Sequence, residues 1–137
     1  MDKEYYLSLA KIRLEDAKQL LEDAQDMLEK ESYKSANNRA FYAMEKGVKA
    51  LLAHKEIDVH THNGALSQFN YLYVHKGDGT FTKEDYDSLA RASQIRSASD
   101  YDDFYIVSKK DTKQQIEDAQ KFIKKVEDYF QEKDDKS

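Results

Sequence analysis

Eleven residues, Ile95-Arg96-Ser97-Ala98-Ser99-Asp100-Tyr101-Asp102-Asp103-Phe104-Tyr105, concentrate the groups best able to do chemistry in this chain. One arginine precedes three carboxylates and two tyrosines within ten positions. A guanidinium can grip a phosphate through two parallel hydrogen bonds, and a neighbouring carboxylate can orient it. Arg96 and Asp100 are four apart, so on a continued helix they share a face. They read either as an ordinary helix-end ion pair, worth a few tenths of a kcal/mol, or as an arginine aimed at a phosphate. Tyr101, Phe104 and Tyr105 read as aromatics that pin the segment to a core, Phe104 foremost. The tyrosines also suit stacking on a base, proton donation or modification. Asp102 and Asp103 are adjacent acids without further ligands, a poor basis for a Mg²⁺ site.

A second cluster lies upstream. Asn38 and Tyr42 are four apart and Arg39 sits beside them, next to an alanine-rich helix face. They read as a polar pair at a bundle edge or as groups that hold a ligand. His60 and His62 flank Thr61, but no cysteine or obvious third ligand accompanies them, so no metal site is expected. The sequence contains no P-loop, no dinucleotide glycine pattern and no serine-hydrolase elbow.

The elements that must carry these groups are helical. Ala10, Leu14, Ala17, Leu21, Ala24 and Leu28 recur at spacings of four and three, which predicts a helix over about residues 3–30 with one apolar stripe. Leu9, Leu20 and Met27 widen it. A second helix is predicted over 33–54, with Ala36, Ala40, Ala43 or Met44, Gly47 and Leu51 on its narrow face and Val48 and Leu52 beside them. Gly47 costs a helix on the order of 1 kcal/mol relative to alanine, which suggests close packing. Residues 55–62 read as a connector, 63–73 as a short helix with Leu66, Phe69 and Tyr73 inward, and 75–80 as a turn. Thr82 with Asp85 makes a capping box for a fourth helix running to about Ser97. Tyr86, Leu89, Ala90 and Ser93 are its expected inner side. Ser108 with Asp111 opens a last helix, in which Ile116, Ala119, Ile123, Val126 and Phe130 form the stripe. The expected fold is all-α: an antiparallel, up-and-down bundle of four long helices plus a short one over residues 1–131. Residues 132–137 read as a charged, disordered tail.

Composition agrees. The chain has 137 residues, no proline and no cysteine, 36% charged residues and a net charge of −5. Without proline, long helices run unbroken. Without cysteine there is no disulfide scaffold, thiolate metal site or cysteine nucleophile. The charged start and the lack of a long apolar run predict a cytoplasmic protein with no membrane span. Net negative charge opposes polyanion binding through the whole surface. Residues 33–62, however, hold five bases against three acids, so an anionic partner should meet that segment.

Four motifs in order carry a resemblance. Ala36-Asn37-Asn38-Arg39-Ala40-Phe41-Tyr42-Ala43-Met44, then Lys49-Ala50-Leu51-Leu52, then Thr61-His62-Asn63-Gly64, then Arg96-Ser97-Ala98-Ser99-Asp100-Tyr101 resemble the HEPN superfamily. Within it they are most similar to the small stand-alone prokaryotic proteins, with their pattern N-R-x-Y-Y-A, A-L-L, T-H-x-G and R-x-x-x-D-Y. The resemblance covers about residues 5 to 130, and Phe41 stands where that pattern has its first tyrosine.

The resemblance implies a helical bundle that forms a homodimer and is often encoded beside a small nucleotidyltransferase as a toxin–antitoxin pair. Active members are metal-independent endoribonucleases that need no cofactor. Their signature is an arginine followed, after four to six residues, by a histidine, and two copies form a composite cleft. Arg96 carries over as the signature arginine. Tyr101 stands where the histidine would be, and no histidine follows His75. A phenol, with an ordinary pKa of about 10, is a poor proton acceptor near neutrality. Two functions therefore compete. In one, the protein is a toxin-like ribonuclease: Arg96, oriented by Asp100, stabilises the scissile phosphate, Tyr101 or His62 handles the proton, and Asn38 and Arg39 hold the RNA backbone, with Tyr42 and Tyr105 as further nucleotide contacts. In the other it is a non-catalytic module that binds a nucleotide or docks the nucleotidyltransferase, with Tyr101 or Tyr105 modified by that partner. A purely structural dimer explains the helix stripes but not the Ile95–Tyr105 cluster.

Overall fold

One helix of this protein carries a broad face of alanine and larger apolar residues that several neighbours must cover. In the computed structural model, which describes residues 2–136, it is α2 (Tyr33–His54). Thirteen of its 22 residues are buried. It is packed by α1 (Lys3–Glu29), α3 (His62–Phe69), α4 (Lys83–Tyr101) and α5 (Lys109–Lys136). Ala10, Ala17 and Ala24 of α1 and Ala36, Ala40, Ala43, Ala50 and Ala53 of α2 are all buried, and their small side chains permit close packing of the helices around α2. Among the described residues there is no strand, and no helix is long and apolar enough to cross a membrane. The all-α bundle with one short helix is as expected.

The chain turns are built from backbone groups that need partners. α1 and α2 end alike: Glu31 and Glu56 adopt positive φ (61° and 63°), and Ser32 and Ile57 donate back to Met27 and Leu52. This is a Schellman closure made without glycine. The Thr82–Asp85 capping box forms, and Asp111 N donates to Ser108 Oγ at 3.0 Å, so both predicted helix starts hold.

Five details differ from the sequence reading. α3 does not continue as an α-helix to Tyr73 but passes into a π-helical turn, Asn70–His75. The turn seats Tyr73 in the core, where its hydroxyl donates to Leu51 O and its ring joins Phe69, Phe81 and Tyr129. α4 runs to Tyr101, one turn beyond Ser97, and buries Leu89, Ala92 and Ser99, whereas Ala90 and Ser93 stay partly exposed. Its sequence carries too few apolar residues to declare a face. Phe104 is no core anchor: it is 94% exposed, and Val107 is the residue that pins this loop. Finally, α5 continues through Glu132–Lys136, where a disordered tail was expected, with Gln131 Nε2 donating to Asp135 Oδ1 at 3.3 Å. Ser137 lies outside the described residues.

Candidate functional site

Phe41 and Tyr42 are consecutive on α2, so their side chains diverge by about a quarter turn. Phe41 is fully buried and Tyr42 half-buried, with ring centroids 5.4 Å apart. Two chemically active groups flank this aromatic pair. From α4, the Arg96 guanidinium carbon lies 5.9 Å from the Phe41 ring centroid and 5.6 Å from that of Tyr42, both cation–π distances. From the start of α3, the His62 ring meets Phe41 edge-on at 5.5 Å and Tyr42 at 6.3 Å.

Each flank has a carboxylate behind it. Asp100 Oδ2 is 3.2 Å from Arg96 Nε, an i,i+4 pair made possible by the extra turn of α4. The Nε proton is not aimed at that oxygen, so Nε is buried without a hydrogen-bond acceptor, and the contact is an ion pair rather than a hydrogen bond. On the other flank, His62 Nδ1 contacts Glu45 Oε2, and Lys49 Nζ lies 3.7 Å from Glu45 Oε1. Glu45 is only 6% exposed, in the middle of α2. A carboxylate in that position must be paired, since unpaired burial of charge is very costly.

Local structure explains these placements. Thr61 caps α3 by accepting from Gly64 N at 3.0 Å, which sets the direction of His62. Arg13 of α1 holds the connector, donating to Asp58 Oδ1 at 2.9 Å and to Lys49 O at 3.2 Å. That hydrogen bond keeps the Asp58 carboxyl below the usual carboxylate range.

Of the residues singled out in the sequence, Arg96, Asp100, Tyr42 and His62 come together. Asn38 lies one turn before Tyr42, with its side-chain oxygen buried and unpartnered. Arg39 is half-buried and forms no ion pair among the described residues. Tyr101, 78% exposed, ends α4 beside this cluster. Tyr105 lines a separate cavity of about 280 Å³ with Tyr33, Lys34, Ser99, Ile106 and Val107. Asp102 is spent on the chain turn, its Oδ1 accepting from Phe104 N at 3.0 Å. Among the described residues, no three His, Asp or Glu side chains converge as a metal site requires. Glu45 was missed by sequence reasoning. Its one sequence signal is an acid set directly after the apolar pair Ala43-Met44 and four residues before Lys49.

The arrangement can stack or cradle a planar group on Tyr42, receive an anion at Arg96, and hold an oriented imidazole across the same rings. The sequence comparisons fit this frame. The chain matches the HEPN domain over residues 10–129 and belongs to that family. It is 28% identical over 130 residues to a Methanocaldococcus jannaschii protein named "Putative toxin MJ0142", covering 95% of this chain and 86% of the relative. It is 32% identical over 124 residues to a Thermotoga maritima protein named "UPF0332 protein", covering 90% and 87%.

Proposed function

We propose that this protein is a toxin-type HEPN protein that binds RNA at the Arg96 cluster and cleaves it without a metal ion, as a homodimer whose antitoxin partner is a small nucleotidyltransferase. The observation that carries this reading is the seat of Arg96: a guanidinium laid over Tyr42 and Phe41 with Asp100 behind it. An arginine so held, with 19% of its side chain exposed, is preorganised for a phosphate. Arg39 and Asn38, on the adjoining turn of α2, extend the contact along the RNA backbone. Tyr105 supplies an aromatic face beside Lys34 in the neighbouring cavity, suited to the next base. The toxin name of the archaeal relative supports the type.

A second reading is favoured by the exposure of Tyr101. A phenol hydroxyl open to solvent one residue after Asp100 is accessible to a partner enzyme, so the protein would serve as a nucleotide-binding or docking module whose tyrosine is modified.

The test is incubation of purified protein with end-labelled total RNA in EDTA, alongside Arg96→Ala. The ribonuclease reading expects cleavage by the wild type and a loss of roughly 100-fold or more in the variant, the usual scale for removing one transition-state charge contact. No cleavage by either protein moves the weight to the second reading. There, the partner nucleotidyltransferase with labelled ATP should label Tyr101 and not a Tyr101→Phe variant.

A further inference from the structure

We infer that Glu45 and His62 form the proton-transfer dyad of this site, with His62 as its catalytic base and Glu45 as the residue that positions it. The inference rests on the ribonuclease reading above and assigns the one role that the chain leaves open after Arg96.

Glu45 is buried on the central helix, and its carboxylate has two partners, Lys49 on the same helix and His62 Nδ1. An ionised carboxylate only accepts hydrogen bonds, so the ring nitrogen that meets it carries the proton. The lone pair of the neutral imidazole is then on Nε2, on the opposite edge of the ring. The His62 side chain is 42% exposed, so the ring is open to a substrate. Its rotation is restrained by Glu45 on one side and by the rings of Phe41 and Tyr42 on another. The same Tyr42 ring has Arg96 at 5.6 Å and His62 at 6.3 Å, so both groups border one aromatic side chain. The charged group against the imidazole is Glu45 from α2, itself paired with Lys49, while Arg96 from α4 shares the Phe41 and Tyr42 rings with it and Asp58 of the connector is held by Arg13. Tyr101, by contrast, is 78% exposed at the end of α4, and among the described residues no carboxylate hydrogen-bonds to its hydroxyl.

The step follows. Nε2 of His62 takes the proton of a ribose 2′-hydroxyl, and the 2′-oxygen forms a bond to phosphorus. The bond between phosphorus and the 5′-oxygen breaks, its electron pair leaves on that oxygen, and the oxygen takes a proton from water. The products end in a 2′,3′-cyclic phosphate and a 5′-hydroxyl, and His62 then releases its proton to solvent. Arg96 holds the non-bridging oxygens as their charge grows.

The experiment is the EDTA cleavage assay across pH with wild type, Arg96→Ala, His62→Gln, Glu45→Gln, Glu45→Asp and His60→Ala. Each variant is first checked by its thermal melt. His62→Gln should lose roughly 100-fold or more, the scale of general-base removal. Glu45→Gln should lose roughly tenfold or more and displace the acid limb of the pH profile, with Glu45→Asp partly restored. His60→Ala should match the wild type. A nitrogen-15 spectrum of the wild type should give the Nδ1–H tautomer for His62, and that of Glu45→Gln a shift toward Nε2–H. If Arg96→Ala is inactive while folded His62→Gln cleaves within about threefold of wild type, the dyad is overturned and the ribonuclease reading stands. If His62 is the Nε2–H tautomer in the wild type, the role of Glu45 is overturned. If the wild type does not cleave, the ribonuclease reading fails and the dyad falls with it.

Discussion

At the scale of single residues, the molecule sets two histidines in opposite circumstances. His62 meets a carboxylate, whereas His54, at the end of α2, is stacked on Phe130 with ring centroids 5.3 Å apart. Burial, reinforced by Lys55, Lys133 and Lys3 against an opposing Asp134, pushes the His54 pKa below its ordinary value of 6.5. The unfolded chain therefore binds a proton that the folded one resists. Stability falls as pH drops through about 6.5 toward the lowered folded value, and recovers above it. We expect the melting temperature to decline between pH 7.5 and 5.5, and His54→Gln to flatten that slope. An unchanged slope in the variant assigns the decline to other groups. The Arg96–Asp100 pairing was legible from spacing alone because four residues on a helix define a face. The Glu45–His62 contact was not, because 17 residues and a chain reversal separate the two.

At the scale of elements, α2 and α5 meet at Gly47. A β-carbon there would lie 2.6 Å from Ile123 Cδ1 and 3.2 Å from Phe122 Cε2, both in the core. Gly47→Ala gains about 1 kcal/mol of helix propensity but meets an overpacking penalty of about 1–3 kcal/mol. Urea unfolding should give a net loss of about 1 kcal/mol, and this loss should shrink in an Ile123→Val background, where the obstructing methyl is gone. An equal loss in both backgrounds would mean that the close approach at Ile123 is not its cause. The bounds of α2, the stripe of α1 and the caps at Thr82 and Ser108 were all readable, since periodicity and capping act within a few residues. The π-helical turn and the inner face of α4 were not. Both are set by what the neighbouring helices demand, namely a seat for Tyr73 and a contact for Leu89, Ala92 and Ser99.

At the scale of the whole molecule, Tyr101, Phe104 and Ile106 stand 78%, 94% and 88% exposed within six residues, at the junction of α4 and α5 beside the Arg96 cluster. Large apolar groups massed on one loop are costly in water and suit an interface. The proposed homodimer is expected to use this patch as its interface. Sedimentation of Phe104→Asp with Ile106→Asp should give a monomer whose melting temperature is within a few degrees of wild type. A wild type that is already monomeric at tens of micromolar, or a variant that stays dimeric, places the interface elsewhere or nowhere.

Local order in this protein was written along the chain: helix existence, stripes, caps, the bounds of α2 and the Arg96–Asp100 register all depend on neighbours within about one turn of helix. The family resemblance followed from the same short motifs in order. What required the folded molecule was every relation between distant segments. Folding brought His62 onto a buried carboxylate, set Arg96 over Tyr42, turned Phe104 outward and Val107 inward, and carried α5 through Lys136. These depend on which helices pack against one another and on the free energy of burying or pairing each polar group there. No periodicity within a single segment encodes that.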